Sequence, residues 1–318
     1  MEAPEIRLND FAPSDNTPFP TILLCGKRAS GKSILAASVA KRFSHIPRWV
    51  AFVGTKATGE YWGSKFGSPA TVHGCDRRAT AKLEEIVRYQ EHKVETYKNI
   101  FEKEMPQKYY LGLIFDDVTS KREFRRAPIL EDLFSNGRHY KILILICVQY
   151  IKQLPPAVRM NSDYLIMLHN SRRVLRLLHE DYVGVMEFDI FARLVEHVTG
   201  ERDPETNEKK YNALVFDNTM SSGKISNIFS VFRYPTGTDP TQIKLGDEKW
   251  HTFNKVFYRD DKLQKAQAQY ANETKQQRLS LYNDSITRRR KVQSENTFVL
   301  SKGKRRQTSY KFRFTKHT

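Results

Sequence analysis

The chain has 318 residues, 39% hydrophobic and 28% charged, with a formal net charge of +17; that is globular composition and enough length for one large domain or two small ones. Its three cysteines, Cys25, Cys75 and Cys147, are too few for a disulfide framework and point to a reducing compartment, and His73 with Cys75 has no second ligand pair at zinc spacing. No apolar run approaches the roughly 20 residues of a membrane-spanning helix, and Met1–Asp15 lacks the apolar core of a signal peptide.

Residues 1–19 read as an extended lead-in. Thr21–Cys25 is an apolar run that predicts a buried strand. It leads directly into Gly26-Lys27-Arg28-Ala29-Ser30-Gly31-Lys32-Ser33, which fits G-x-x-x-x-G-K-[ST], the phosphate-binding P-loop. Leu35, Val39 and Phe43 then recur at four-residue spacing and predict a helix from Lys32 to Phe43. Strand, glycine loop and helix are the context this motif requires. The backbone N–H groups of the loop and the helix N-terminus cradle phosphates. In such a loop Lys32 can reach the β- and γ-phosphates of a nucleotide, and Ser33 can hold Mg²⁺.

Pro47 ends that helix, and Arg48–Gly54 reads as a second buried strand. Thr55–Gly74 is glycine-rich and is expected to be a loop: either a mobile functional one or a surface loop pinned by Tyr61, Trp62 and Phe66. Leu83, Ile86, Val87, Val94, Tyr97 and Phe101 keep one face of a helix apolar from Arg77 to Lys103. Tyr109–Phe115 is a continuous apolar run ending in Asp116-Asp117, the form of a Walker B strand. Asp116 is placed to orient Mg²⁺, and Asp117 to polarise the attacking water.

Arg122–Phe134 is expected to be a single helix, closed by Asn136-Gly137. Lys141–Val148 is the most apolar strand of the chain and ends in Gln149, which either senses the γ-phosphate and the attacking water or caps the strand. Further on, Asp163–Leu168 predicts a strand, Ser171–Asp181 a basic helix with Arg172, Arg173 and Arg176, and Val183–Val198 another helix. Tyr211–Phe216 and Ile228–Tyr234 complete the strands.

Alternating strands and helices predict an α/β fold of the P-loop NTPase type, with a mainly parallel central sheet and helices on both faces. The site is expected at the C-terminal ends of the strands. Lys141–Val148 supplies the additional strand of the RecA/FtsK-like division, in which the Walker B strand is not adjacent to the P-loop strand. The domain plan is the lead-in at 1–19, an ATPase domain at 20–258, and a basic C-terminal tail at 259–318. That tail carries 16 Lys and Arg against 5 Asp and Glu, so it holds +11 of the net +17. Such a charge favours polyanions such as nucleic acid, or marks a solvated end or nuclear-localisation patch. Lys262–Leu281 is polar and Gln-rich, a candidate exposed helix. The alternating aromatic and basic residues of Tyr310–Phe314 suit either base stacking or an edge strand.

With these elements placed, the chain resembles the poxvirus-type genome-packaging ATPases of nucleocytoplasmic large DNA viruses, a branch of the FtsK/HerA superfamily. The resemblance runs from about Pro20 to Tyr234. It rests on Gly26–Ser33, Leu113-Ile-Phe-Asp-Asp117, Asn136-Gly-Arg-His139, Gln149, Leu154-Pro155, Arg159-Met-Asn161 and Tyr211-Asn-Ala-Leu-Val-Phe-Asp-Asn218. It implies a homo-oligomeric ring, expected to be a hexamer, that hydrolyses ATP at subunit interfaces and moves double-stranded DNA into a capsid. A capsid or portal component would be a partner, and the host cytoplasm (at the viral factory) or the virion the location. It also implies a trans-acting arginine for the γ-phosphate, Arg138 first and Arg159 second; either can equally be a helix C-terminal arginine offsetting the dipole. The second Walker B acid departs from the pattern, being Asp117 where many relatives use glutamate, and the tail lies outside the resemblance. The competing readings are a P-loop kinase or nucleotide-metabolism enzyme, with Arg172, Arg173 and Arg176 as lid arginines, and an ATP-binding nucleic-acid regulator.

Overall fold

Residue alternation along the first long strand sets up the architecture. In Thr21–Cys25, Leu23 and Cys25 face one apolar cluster and Ile22 and Leu24 face another, and all four are fully buried. A strand apolar on both faces needs cover on both, which helices above and below a parallel sheet supply. The computed structural model describes residues 8–257, apart from short stretches at 67–70, 77, 119–121, 185, 203–206, 208–209, 221–224 and 236–238, together with Gln276. The rest of the tail and residues 1–7 of the lead-in fall outside the described residues, and with them the basic clusters and the Tyr310–Phe314 run.

In chain order the elements are β1 (Asn9–Asp10), β2 (Thr21–Cys25), α1 (Lys32–Lys41), β3 (Arg48–Val53), α2 (Lys56–Phe66), β4 (Val72–Gly74), α3 (Ala79–Asn99), β5 (Leu111–Asp116), α4 (Arg122–Arg125), α5 (Pro128–Asn136) and β6 (Ile142–Val148). There follow α6 (Pro156–Met160), β7 (Tyr164–Met167), α7 (Arg172–Tyr182), α8 (Phe188–Gly200), β8 (Ala213–Asp217), α9 (Ile225–Ile228), β9 (Phe229–Phe232) and α10 (Glu248–Phe257). Among the described residues the strands form one sheet in the order β1-β9-β8-β7-β2-β6-β5-β3-β4. The run from β7 to β4 is parallel throughout. Beyond β7 the sheet turns antiparallel through β8 and β9, and β1 closes that edge parallel to β9. The lead-in therefore adds an edge strand, and its Phe11 and Phe19 are buried.

The additional strand stands where it was expected: β6 pairs with β2 on one side and β5 on the other, so Cys147 lies opposite both Leu24 and Asp116. One apolar layer packs α3, α5, α7 and α8 onto the sheet through Leu83, Leu133, Leu175 and Phe191. The other packs α1 and α2 through Leu35, Val39, Trp62 and Phe66.

Three expectations about local structure change. Lys56–Phe66 is helix, not loop. Gly59 and Gly63 weaken its intrinsic propensity, but Trp62 and Phe66 lie one turn apart and bury on the same cluster, and that burial decides. Arg122–Phe134 is two helices, because Ala127, which precedes Pro128, takes an extended conformation and Pro128 opens the second. The helix expected from Val183 begins only at Phe188.

Candidate nucleotide-binding site

Three contacts hold the mouth of the loop. Gly26 N–H donates to the Val148 carbonyl at 3.1 Å, continuing the β2–β6 ladder one residue past Cys25. The Cys25 carbonyl accepts from Leu168 N–H at 2.9 Å and from the buried Asn170 amide at 3.2 Å. The chain then leaves the sheet and turns back through left-handed backbone at Ala29 (φ 59°) and Gly31 (φ 87°) into α1. At Gly31 glycine is required twice over. The φ is one that side chains avoid, and a Cβ there would stand 2.6 Å from the Tyr211 ring. Gly31 has no side chain to cap α1, and the first turn carries no acid, so the helix keeps a positive N-terminus facing the loop. Lys32 Nζ donates to the Lys27 carbonyl at 2.9 Å across the loop.

β5 brings the acids to the same end of the sheet. Asp116 is 2% exposed, and its Oδ2 accepts hydrogen bonds from Ser33 Oγ at 2.7 Å and Trp62 Nε1 at 3.0 Å. Burial pushes its carboxyl above the usual carboxylate range. The bonds from Ser33 and Trp62 and the charge of Lys32 oppose that rise, and Asp117 adds to it. Asp117 sits in the left-handed region (φ 59°), which turns it out of the strand line, and its Oδ1 accepts from Gln149 Nε2 at 3.4 Å, a long bond. Gln149 is thus neither solvent-directed nor remote: it faces the second acid from the next strand.

The turn at Asp117 is seated against Gly54, whose N–H donates to the Asp116 carbonyl at 3.0 Å. A Cβ on Gly54 would meet the Asp117 carbonyl oxygen at 2.1 Å. Backbone cannot yield to that as a side-chain tip can, so Gly54→Ala is expected to destabilise the fold by about 1–3 kcal/mol. It is also expected to lower turnover beyond what that loss explains, because Asp117 moves. Thermal unfolding alongside a hydrolysis assay of the folded fraction checks both; wild-type turnover per folded molecule would show that Asp117 tolerates the shift.

A cleft of about 540 Å³ joins these parts. Of the residues expected to act, it brings together Arg28, Ala29, Gly31, Lys32, Ser33, Asp116, Asp117 and Gln149. Gly26, Lys27 and Ser30 complete the loop behind them, Ser30 being buried. Arg138 and Arg159 are elsewhere. Arg138 is exposed in the turn between α5 and β6, at the N-terminal end of the sheet. Parallel pairing with β2 puts the loop at the other end, so the length of β6, roughly 20 Å, separates the two. Arg159, on α6, is ion-paired with Asp181, which also accepts from Lys152 at 2.8 Å.

The cleft also contains residues that sequence reasoning did not assign. Tyr61 and Tyr211 line it, with Ala57 and Thr58 at the start of α2. Tyr61 O–H donates to the Ser33 carbonyl at 3.2 Å. The signal for Tyr61 and Trp62 in the sequence is their aromatic character; only the helix shows that Tyr61 turns toward the P-loop and Trp62 toward Asp116.

Comparison with known proteins finds a family and several viral relatives of the chain. The family described as "Poxvirus A32 protein" matches residues 13–228, more than half of the chain. Protein 075L of Invertebrate iridescent virus 6 is 27% identical over 244 residues, 75% of this chain and 86% of that protein. Protein L437 of Acanthamoeba polyphaga mimivirus is 24% identical over 242 residues, 75% of this chain and 80% of that protein. Among solved structures, the chain is similar to the genome packaging NTPase B204 of Sulfolobus turreted icosahedral virus 2 in complex with ATP-gammaS. That match has 19% identity and a TM-score of 0.41, and covers 69% of this chain and 98% of that one.

Proposed function

The chain belongs to the poxvirus A32 protein family, and from that membership we propose that it is an ATP hydrolase that drives viral double-stranded DNA into the capsid. The observation that carries the reading is the convergence of Lys32, Ser33, Asp116, Asp117 and Gln149 on one cleft, with β6 inserted between the P-loop and Walker B strands. The inserted strand argues against a simple nucleotide kinase, and the full acid and lysine set argues against an inert regulator.

On this reading the amides of Gly26–Ser33 and the N-terminus of α1 hold the β- and γ-phosphates. Lys32 exchanges its bond to Lys27 for phosphate oxygens. The Ser33 hydroxyl and the Asp116 carboxylate, already within 2.7 Å, are the hard oxygen donors that suit Mg²⁺. Ser33 and Asp116 would hold such an ion, which would supply charge neutralisation to the phosphates. Asp117 accepts a proton from the attacking water, and Gln149, bonded to Asp117, orients that water. The bond from the γ-phosphorus to the bridging oxygen breaks as the bond to water forms. Aspartate reaches less far than glutamate.

The site is completed across a subunit interface in a ring, for which we take six copies. Arg138 fits the trans role better than Arg159: it is exposed and far from its own loop, whereas Arg159 is already neutralised by Asp181. The basic tail serves as an electrostatic hold on DNA, and a capsid or portal component receives the motor. We place it at the viral factory in the host cytoplasm or in the virion; no helix among the described residues is long and apolar enough to cross a membrane.

Hydrolysis measured with and without duplex DNA tests the reading. Stimulation by duplex DNA is expected. Hydrolysis indifferent to DNA but accelerated by a small phosphate acceptor would instead make the protein a kinase.

A further inference from the structure

Helix α2 puts two consecutive side chains on the two halves of the site. Tyr61 holds the Ser33 carbonyl, and Trp62 holds Asp116 Oδ2 at 3.0 Å. Trp62 is fully buried, stacked on Phe66 with ring centroids 5.8 Å apart and met edge-on by Tyr61 at 5.2 Å. A buried indole needs an acceptor for its single N–H. Many carbonyls would serve in a sheet core, yet the acceptor here is the Walker B carboxylate, on the same oxygen that receives Ser33 Oγ. Two donors converging on one oxygen, one of them on a ring locked by packing, fix the rotation of the carboxylate.

We propose that Trp62 is a positioning residue for the Mg²⁺–nucleotide site: its N–H sets the Asp116 carboxylate so that Ser33 and Asp116 keep the spacing the ion needs. The proposal rests on the ATPase reading given above. It assigns Trp62 the part that outer-sphere donors play around metal ligands, where loss of one such bond typically costs 10–100-fold in metal affinity or activity.

Benzothienylalanine installed at position 62 keeps the shape of the ring and removes only the N–H; Trp62→Phe is the second variant. Binding of a fluorescent ATP analogue is measured in EDTA and across a Mg²⁺ titration, with turnover and thermal unfolding in parallel. In both variants the Mg²⁺ midpoint is expected to rise about tenfold or more, with analogue affinity in EDTA unchanged and turnover recovering in part at high Mg²⁺. A merely structural role would lower thermal stability and weaken binding in EDTA while leaving the Mg²⁺ midpoint in place. A midpoint within twofold of wild type for the benzothienylalanine protein overturns the proposal. Wild-type protein that neither binds the analogue nor hydrolyses ATP at any Mg²⁺ concentration would overturn the ATPase reading itself, so the two failures are distinct.

Discussion

Arg138→Ala is expected to reduce hydrolysis by the assembled protein by about 10³-fold or more, the range over which a trans arginine acts on the γ-phosphate. The fold should be untouched, because the side chain is exposed beyond the end of α5. A helix-capping arginine, the bland role, would cost only a few tenths of a kcal/mol of stability and leave turnover alone. The decisive form of the experiment mixes Arg138→Ala with Lys32→Ala subunits. Each variant by itself is expected to retain only residual hydrolysis. If the arginine acts across an interface, about a quarter of the interfaces in a random equal mixture of a head-to-tail ring pair an intact lysine site with an intact arginine. Partial recovery of hydrolysis is therefore expected. No recovery in a mixture shown to co-assemble would remove Arg138 from the trans role. The topology argues only against action in cis: roughly 20 Å of strand separate Arg138 from its own loop, so it cannot serve its own site without rearranging the sheet.

Lys32→Ala carries the second large effect. Loss of a preorganised cation at developing phosphate charge costs on the order of 10²–10³-fold in turnover. The change also withdraws one of the groups that favour the ionised form of Asp116, so the Mg²⁺ requirement should rise as well. Stability should change by less than about 0.5 kcal/mol, because the hydrogen bond Lys32 makes runs to the neighbouring Lys27 carbonyl at the rim of the cleft and not into the core. Steady-state hydrolysis with thermal unfolding as control checks both. Wild-type turnover in Lys32→Ala would place catalysis at some other site.

Much of this was legible along the chain because the signals were local. A P-loop needs consecutive residues, so Gly26–Ser33 declared itself, and the apolar run ending in Asp116-Asp117 did the same for Walker B. Strands buried on both faces are continuous apolar runs, and β2, β5 and β6 were found on that ground. Helix α2 was missed because its two glycines argue against helix locally, while the burial of Trp62 and Phe66 that overrules them is a property of the packed sheet. Tyr211 was read only as the start of a strand. Its place over Gly31 depends on β8 running antiparallel to β7, which carries its N-terminal end back to the P-loop.

The sequence by itself determined which groups are present: a P-loop motif, a strand ending in two acids and a polar strand end. These are written in residue type and short spacing, and the physics that enforces them acts within a few residues. Tertiary structure alone decided how those parts meet. It put Asp116 beside Ser33, turned Asp117 toward Gln149, packed Trp62 against the Asp116 carboxylate, and sent Arg138 to the far end of the sheet. Contacts of that kind join residues dozens of positions apart through strand order and register, which are set by the burial of the whole sheet and not by any one segment.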